Sequence, residues 1–282
     1  MKKEGSMDNS YIYEIKEAIT HGGVFHSDDV FSTAFLQILN PELKVKRLMQ
    51  VPEDFDGLVY DIGLGRFDHH QKDRKVRENG IPYAAFGLLF EEFGTLVMSE
   101  EDAKEFDETF IQPIDKSDNT GSFWMICDII SDFNPDWIGN QDRDEAFWRA
   151  VAVAKEILVN KFRQINANRK AYYMVKEEVD ACTGPVLELS KTIPWQDAVK
   201  GTDILYVIYE SERGGYNVQT VRVDGEEREK KPFPENWRGK PADFLQEVTG
   251  VSGITFCHNS GFLCACKTID DARAIAKLAV EA

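Results

Sequence analysis

Histidines and aspartates are concentrated in one short part of this chain. Four of the five histidines fall between Thr20 and Gln71, each with aspartates close by in the sequence. The residues in question are His21, His26, Asp28, Asp29, Asp61, Asp68, His69 and His70. Apolar, strand-like runs precede them, and polar groups that follow parallel strands meet at one edge of a sheet. The spacing therefore favours an open α/β sheet with these side chains gathered at a single edge.

Hydrophobic periodicity defines the elements around this cluster. The pattern predicts a short buried strand over 18–25, a helix over 28–39, and further strands over 44–49 and 57–62. Acidic residues suit the start of the helix, because the N-terminus of a helix is the positive end of its dipole. The order strand, helix, strand, strand predicts a mostly parallel sheet, with Asp61 at the end of the third strand.

Two apolar helices are predicted further along, over 82–94 and 100–112. The second leads into a polar segment, Gln112–Gly121, that has the composition of a loop. Asp115 and Asp118 lie in this segment, and either can supply a further carboxylate to the cluster. The alternative for each is an ordinary turn or capping residue.

A long helical pattern over 142–181 separates two parts of different character. We predict an α/β protein of two lobes: an N-terminal domain with a mostly parallel sheet and a smaller C-terminal domain with a mixed sheet, joined by a long helix. The predicted boundaries are 1–140, a helical connector over 141–183, and 184–282. The C-terminal strand patterns cover 186–189, 204–209, 216–223 and 253–257, and a final helix covers 270–281.

The net charge of −16 argues against a long, nonspecific nucleic-acid surface, because phosphate contacts need clustered Lys and Arg. It leaves room for a local basic site. Lys72, Arg74, Lys75 and Arg77 form such a run directly after the D-H-H triplet. The run is either a solvated loop or a contact for an anionic substrate, and the sequence supports both equally.

The five cysteines are odd in number and widely spread, which predicts reduced thiols and a cytoplasmic protein. Cys264 and Cys266 alternate like side chains on one face of a strand, and buried small side chains are their simplest interpretation. The polar N-terminus lacks the apolar core of a signal peptide. No run approaches the roughly 18 apolar residues of a membrane span.

The cluster offers carboxylate and imidazole ligands without thiolates. This set suits Mn²⁺, Mg²⁺ or Fe²⁺ better than structural Zn²⁺. His21, His26 and Asp28 lie close together on one loop, where Gly22-Gly23 allows a tight turn. The spacing predicts a centre for two metal ions that supports hydrolysis.

Asp61 follows apolar residues, so its charge needs a cation, and it is the natural bridge between two ions. A capping role is the alternative. His69 and His70 are adjacent, so on an extended segment their rings are expected to point apart, one toward the metal and the other toward the substrate. Asp68 is expected to fix the tautomer of an imidazole.

Together these motifs resemble those of the DHH phosphoesterase superfamily and, more closely, of the melanocyte-proliferating-gene (Myg) exonuclease family. The resemblance spans roughly residues 18–280, and its motifs occur in a fixed order. They are T-H-G-G-V-F-H-S-D-D at Thr20–Asp29, D-I-G at Asp61–Gly63, F-D-H-H-Q at Phe67–Gln71, D-K-S-D-N at Asp115–Asn119, N-V-Q-T-V at Asn217–Val221, K-P-F-P-E-N-W-R-G at Lys231–Gly239 and F-C-H-N-S-G-F at Phe256–Phe262.

The resemblance implies a two-domain α/β fold, two divalent metal ions (Mn²⁺ first, Mg²⁺ second) and hydrolysis of phosphodiester bonds. The implied metal ligands are His21, His26, Asp28, Asp61, His69 and Asp118. The implied catalytic residues are Asp61, Asp68, His69 and His70. The superfamily's first motif usually has aspartate where this chain has His26.

The expected activity resembles that of a 3′–5′ exonuclease on short RNA, DNA or nucleotides. Two alternatives stay open: a small-molecule phosphatase or pyrophosphatase on the same centre, and a metal- or nucleotide-binding regulatory protein without turnover. The sequence does not determine the oligomeric state, and a homodimer is among the options.

In the second domain, five residues combine cations, an aromatic plane and a flexible backbone position: Lys231, Trp237, Arg238, His258 and Gly261. They predict a lobe that stacks bases and binds phosphate. The alternative places Trp237 in the core and pairs Arg238 with a carboxylate. Spacing alone supports both, and the resemblance favours substrate binding.

Overall fold

The computed structural model of the protein describes residues 9–282. The first eight residues, part of the polar N-terminal segment discussed above, lie outside the described residues. The chain divides into two compact units, the first ending at Asn166 and the second running from Ala167 to Ala282. Helices and strands occur in both, which confirms the predicted α/β class. The domain boundaries at 140 and 183 remain predictions.

The first unit contains a three-stranded sheet with the order β2-β1-β3. Its strands are β1 (Glu17–His21), β2 (Lys44–Leu48) and β3 (Leu58–Val59). The central strand pairs in parallel with both neighbours, and Ile19 lies opposite Lys46 on one side and Val59 on the other. The predicted parallel sheet is therefore confirmed, and its carboxyl ends share one edge.

Two of these strands are shorter than predicted. β1 ends at His21, because the chain turns at Gly22, whose N–H donates to the Leu48 carbonyl at 2.7 Å. β3 ends before Asp61, which has a left-handed φ of 55° and so leaves the extended conformation. The segment that follows His21 and the segment that contains Asp61 thus begin where a strand ends.

Helices cover the sheet of the first unit. They are α1 (Ser27–Leu39), α2 (Ala85–Phe93), α3 (Glu100–Phe106), α4 (Gln112–Thr120), α5 (Met125–Ser131) and the long α6 (Arg143–Ala181), whose last part belongs to the second unit. α1 packs against α2 through aromatic rings, with Phe31 stacked on Phe86 at 5.7 Å and Phe35 near Phe90 at 5.4 Å. This apolar layer holds the amino end of α1 against the sheet edge.

The polar segment Gln112–Gly121 is a helix up to Thr120, so its prediction as a loop is wrong. Helical structure continues from Glu100 through a π-helical turn at Asp107–Ile111 into α4. Asp115, one of the polar residues that indicated a loop, is fully buried, and its carboxylate contacts Arg77 at 2.8 Å. Composition does not distinguish such buried pairs from a solvated loop. The short helix α5 was also not predicted.

The second unit is built on a five-stranded sheet with the order β4-β5-β6-β8-β7, and the predicted mixed sheet is confirmed. The strands are β4 (Val186–Glu188), β5 (Tyr206–Glu210), β6 (Tyr216–Thr220), β7 (Ile254–Cys257) and β8 (Leu263–Cys266). Two helices accompany them, α7 (Ala242–Thr249) and α8 (Ile269–Glu281). β8 and α7 are additions to the predicted elements.

Cys264 and Cys266 lie on β8, and both are buried, as their alternation predicted. None of the five cysteines forms a disulfide bond. Of the helices in residues 9–282, none combines the length and the apolar composition that a bilayer crossing requires. A cytoplasmic location remains a prediction.

Candidate metal centre

Histidines and aspartates converge at the carboxyl edge of the parallel sheet in the first unit. β1 ends with His21, the amino end of α1 carries Asp28 and Asp29, and Asp61 follows β3. The irregular segment after β3 supplies Asp68, His69 and His70, and α4 supplies Asp118. The sequence elements therefore meet as the strand order predicted.

The first group consists of His21, Asp29 and Asp61, whose potential ligand atoms lie within 4.8 Å of one another. His21 Nε2 is 3.2 Å from Asp29 Oδ2 and 3.2 Å from Asp61 Oδ2. The other ring nitrogen, Nδ1, lies 2.9 Å from the Gly22 carbonyl. A backbone partner at Nδ1 leaves Nε2 to face the carboxylates, which is how proteins orient histidine ligands.

The second group consists of Asp28, His69 and Asp118. His69 Nε2 lies 2.9 Å from Asp118 Oδ2, while its Nδ1 lies 4.0 Å from Asp28 Oδ2. Asp28 is fully buried and His69 is 6% exposed. This group is therefore shielded from water on the side of the protein core.

Asp61 lies between the two groups. Its Oδ2 faces His21 at 3.2 Å, and its Oδ1 faces His69 Nδ1 at 3.4 Å. A further group joins Asp61 to Asp68, His69 and His70. One carboxylate with an oxygen toward each set is the geometry that a bridging ligand requires.

Several buried ligand atoms in this centre lack a hydrogen-bond partner in the described part of the chain. They include Asp28 Oδ1, Asp61 Oδ1 and His69 Nδ1. A buried polar atom without a partner costs about 1–3 kcal/mol, so clusters of them are rare unless an ion satisfies them. Oxygen and imidazole donors without thiolates suit Mn²⁺ or Mg²⁺. The residues present thus fit a divalent metal ion.

The protonation equilibria of these side chains agree with a cation site. Although burial opposes protonation, the hydrogen bonds to Asp29 and Asp61 raise the pKa of His21 to about 11. Burial and the neighbouring carboxylate of Asp61 raise the pKa of Asp28 well above its ordinary value. Without a cation the centre retains protons, so metal binding should release them.

His26 was predicted as a ligand, but it belongs to none of the three groups found among the described residues. It is exposed, and its ring centre lies 5.9 Å from that of His21. Asp29 takes the place near His21 instead, and it also accepts the backbone N–H of His26 at 2.9 Å. In the sequence, Asp29 is indicated as a potential ligand by the pair of adjacent aspartates at the helix start. Both aspartates are buried in the structure.

The two aspartates that were alternatives for the last carboxylate have different partners. Asp118 contacts His69, whereas Asp115 contacts Arg77 at 2.8 Å and accepts the Gly87 N–H at 3.2 Å. Asp115 therefore forms a buried contact with Arg77 and belongs to neither group of potential metal ligands.

The rings of His69 and His70 are stacked, with centroids 4.2 Å apart and planes 29° from parallel. The prediction that they point apart is wrong, because the segment is irregular and the alternation of a strand does not apply. His70 is exposed, and its Nδ1 lies 2.6 Å from Asp68 Oδ1. Asp68 also accepts the backbone N–H of His70 at 3.1 Å.

An open cleft of about 880 Å³ lies beside these groups. Asp61, His69, His70 and Asp118 line it, together with residues after the D-H-H triplet and after α4. A second cavity of about 400 Å³ reaches His21 and Asp68. Every residue that lines these two cavities belongs to the first unit. A ligand can therefore reach the centre through that unit.

The predicted substrate residues of the second unit have varied surroundings. Trp237 is 6% exposed and stacks on Phe233 in the core, so its predicted role as a base-stacking plane is wrong. Lys231 Nζ donates to the Val280 carbonyl at 2.7 Å. Arg238 Nε donates to the Phe233 carbonyl at 2.7 Å, not to a carboxylate.

His258 is half-buried, with Nδ1 2.8 Å from Ser260 Oγ. A side chain at Gly261 would place its Cβ 2.6 Å from Arg238 Nε, so the glycine permits this close approach. Arg238 also lines a cavity of about 570 Å³ together with Arg222, Arg228 and Lys230. Glu227 and Glu229 line the same cavity, and Arg222 pairs with Glu229. Phosphate binding at this place stays a prediction.

Comparisons with known proteins agree with the resemblance. A family model described as "Uncharacterised protein family (UPF0160)" and labelled MYG1_exonuc matches residues 17–280. MYG1 exonuclease of Homo sapiens is 27% identical over 92% of this chain and 84% of its own length. A MYG1 protein of Saccharomyces cerevisiae is 25% identical over 94% of this chain and 96% of its own. The MYG1 protein of Chlamydia muridarum is 28% identical over 86% and 89%.

No solved structure matches the chain significantly. The match to the family model nevertheless covers both units, from β1 to α8, and includes every residue of the candidate centre. The chain therefore belongs to the MYG1 exonuclease family.

Proposed function

We propose that this protein is a metal-dependent phosphodiesterase that acts like a 3′–5′ exonuclease on short nucleic acids or nucleotides. The observation that carries the proposal is Asp61, a buried carboxylate with one oxygen toward His21 and the other toward His69. Relatives named MYG1 exonuclease support the same reaction class.

The ligand groups define where the ions would bind. His21, Asp29 and Asp61 would hold one divalent ion, and Asp28, His69 and Asp118 a second, with Asp61 within reach of both. When bound, such ions stabilise charge on the phosphate and lower the pKa of water. Mn²⁺ is our first choice and Mg²⁺ the second, because the ligands are carboxylates and imidazoles.

The protein's own contribution to proton transfer centres on His70. Asp68 Oδ1 accepts a hydrogen bond from Nδ1–H of His70, which leaves the lone pair on Nε2 of this exposed ring as an acceptor. His70 lines the cleft beside Asp61, so Nε2 can accept a proton from a water molecule that attacks a phosphate ester there and pass it to the leaving oxygen. Asp68 acts by holding the ring in this orientation.

Hydrolysis assays with Mn²⁺ test the proposal. Substrates should include single-stranded oligonucleotides labelled at either end, dinucleotides and pyrophosphate. We expect stepwise shortening of the oligonucleotides from the 3′ end. Cleavage of pyrophosphate alone would support the small-molecule phosphatase alternative, and no turnover of any substrate would support the regulatory one.

Asp61→Asn is the decisive variant, because asparagine keeps the shape and tolerates the left-handed backbone but removes the charge. We expect at least about a hundredfold loss of activity, since even the loss of an indirect metal contact costs 10–100-fold. Metal analysis should show less bound Mn²⁺. Asp54→Asn, at an exposed position, is the matched control. Full activity in Asp61→Asn would contradict the assignment of the centre.

A further inference from the structure

Two aromatic side chains are exposed at the cleft of the metal centre. Phe123 is 75% exposed and Trp124 is 40% exposed, and both line the cleft together with His69, His70 and Asp118. They lie on the irregular segment between α4 and α5. Within residues 9–282 neither ring packs against another aromatic ring. Large apolar groups left exposed beside a candidate active site commonly mark a binding surface.

Two cations line the same cleft. Lys72 is exposed and forms no ion pair with any residue of the described chain. Arg74 donates to Asn119 Oδ1 at 2.8 Å, a neutral partner that leaves its charge uncompensated. In contrast, Lys75 pairs with Glu91, and Arg77 pairs with Asp107 and Asp115. The basic run is thus divided into two residues with carboxylate partners and two that face the cleft without them.

Lys72 and Arg74 place positive charge in a cleft whose other titratable lining residues include Asp61, His69, His70, Asp118 and Asp128. The two cations are suited to bind a ligand that brings its own negative charge. Phosphate groups supply that charge, and nucleobases supply flat faces that stack on Phe or Trp. The volume of about 880 Å³ is within the range of small-ligand sites, roughly 300–1,000 Å³.

We propose that this cleft binds single-stranded nucleic acid, with bases stacked on Phe123 and Trp124 and phosphates bound by Lys72 and Arg74. The inference deepens the proposed function, on which its link to catalysis rests. A single strand is required because a base within a duplex is already stacked and its face is not available to the protein. Phe123 and Trp124 of the first unit therefore form the proposed base-stacking surface. Trp237, which lies in the core of the second unit, does not contribute to it.

Binding can be measured separately from hydrolysis. All strands carry phosphorothioate linkages, which resist hydrolysis. A fluorescein-labelled hexathymidylate is titrated with the full-length protein in Mn²⁺, and fluorescence anisotropy reports binding without turnover. We expect the double variant Phe123→Ala/Trp124→Ala to weaken binding at least about fivefold, because loss of one stacked base alone costs about 1–3 kcal/mol. An abasic strand of the same length should bind both proteins within about twofold, because it has phosphates but no bases.

The cations have a separate signature. Lys72→Ala and Arg74→Ala should each reduce the slope of log affinity against log salt concentration by about 0.7, the value for one phosphate contact on a single strand. Trp137→Ala and Lys104→Ala are the matched controls. Trp137 is 92% exposed and Lys104 is exposed on α3, and neither lines the cleft. Both should bind like the wild-type protein.

Circular dichroism verifies the fold of each variant. Phe123→Leu/Trp124→Leu is a second pair that keeps apolar bulk and removes the aromatic faces, and it should show the same loss. Unchanged hexathymidylate binding in both double variants would overturn the inference, even if the protein hydrolyses nucleic acid. An equal loss for the abasic strand would also overturn it. Binding with the expected pattern but no hydrolysis would instead overturn the proposed function and leave the binding site in place.

Discussion

Asp115 is a fully buried carboxylate that lies outside the groups of potential metal ligands. Its oxygens accept the N–H of Gly87 and contact the guanidinium of Arg77, which also bonds Asp107. Burial raises the pKa of Asp115 to about 7, although Arg77 opposes the rise. The side chain is therefore ready to take up a proton near neutral pH.

This pKa predicts a pH-dependent contribution to stability. The folded pKa lies above the ordinary value of 3.8, so between about pH 4 and 7 the folded state holds a proton that the unfolded state has lost. The resulting stabilisation is complete below about pH 4 and disappears as the pH rises through about 7. The difference corresponds to at most roughly 4 kcal/mol.

Asp115→Asn removes this titration. We expect the free energy of unfolding of the wild-type protein to fall relative to that of the variant as the pH rises from 5 to 8. Urea unfolding in EDTA at several pH values measures the difference. Asp54→Asn, at an exposed position, should follow the wild-type protein. Parallel curves for Asp115→Asn and the wild-type protein would show that Asp115 does not titrate in this range.

Residue identities in the centre were predicted from sequence to different degrees. Asp61 follows a strand end, and His69 belongs to the distinctive D-H-H triplet. The topology of the sheet alone brings these two positions together. The position of Asp29, rather than His26, beside His21 and Asp61 depends on which way side chains turn at the start of α1. One residue of displacement along a helix rotates a side chain by about 100°, and the sequence does not specify that rotation before packing is known.

The amino end of α2 is the element that joins the centre to its surroundings. Ala85 N–H donates to Asp28 Oδ2 at 2.9 Å, and Gly87 N–H donates to Asp115 Oδ1 at 3.2 Å. Free N–H groups and the helix dipole both favour negative charge at this end. α2 therefore compensates for part of the repulsion among the buried carboxylates.

Gly87→Ala tests this contact. In an ordinary helix the change would stabilise by about 0.5–1 kcal/mol. Here the added Cβ would lie 2.0 Å from Asp115 Oδ2 and 2.6 Å from an Arg77 nitrogen, so the buried ion pair has to separate. We expect a loss of about 3 kcal/mol or more in the free energy of unfolding.

Chemical denaturation measures this loss. Gly65→Ala is the matched control, since a Cβ there has no atom within 4 Å. It should change stability by less than about 0.5 kcal/mol. A stabilised Gly87→Ala variant would mean that α2 does not approach Asp115 as closely as described.

Helices with a strong hydrophobic periodicity were predicted well. The helix whose buried side contains paired polar residues was not. The apolar spacing of α1 and the uniform pattern of α6 specify helices directly. α4 has few apolar residues, and its buried residues are Gln112, Ile114 and Asp115, the last of which contacts Arg77. A helix whose buried side includes an ion pair has no periodic hydrophobic signal.

At the scale of the whole molecule, every residue in the three ligand groups belongs to the first unit. Metal binding should therefore stabilise that unit in particular. At a Mn²⁺ concentration of one hundred times the dissociation constant, the gain is about 2.7 kcal/mol. The second unit contains none of these residues, so it should respond less.

Hydrogen exchange followed by mass spectrometry, with Mn²⁺ or with EDTA, resolves the two units. Peptides from β1, α1 and α4 should gain protection with Mn²⁺, and peptides from β5, β6 and β8 should not. Asp61→Asn provides the control and should show a smaller gain in the first unit than the wild-type protein and none in the second. Equal protection across the whole chain would contradict a metal site confined to the first unit.

Asp61 and Leu64 both have a left-handed φ of 55°. The segment from Asp61 to Phe67 is closed by the hydrogen bond from the Asp61 N–H to the Phe67 carbonyl at 3.0 Å. Each left-handed residue costs roughly 1–2 kcal/mol, and that cost is met when the chain folds. An arriving ion then finds the shared carboxylate already in position. The speed of metal uptake should be governed by how fast the ion sheds its water. Mg²⁺ dehydrates reluctantly, so Mn²⁺ should occupy the centre sooner, whatever the final affinities are.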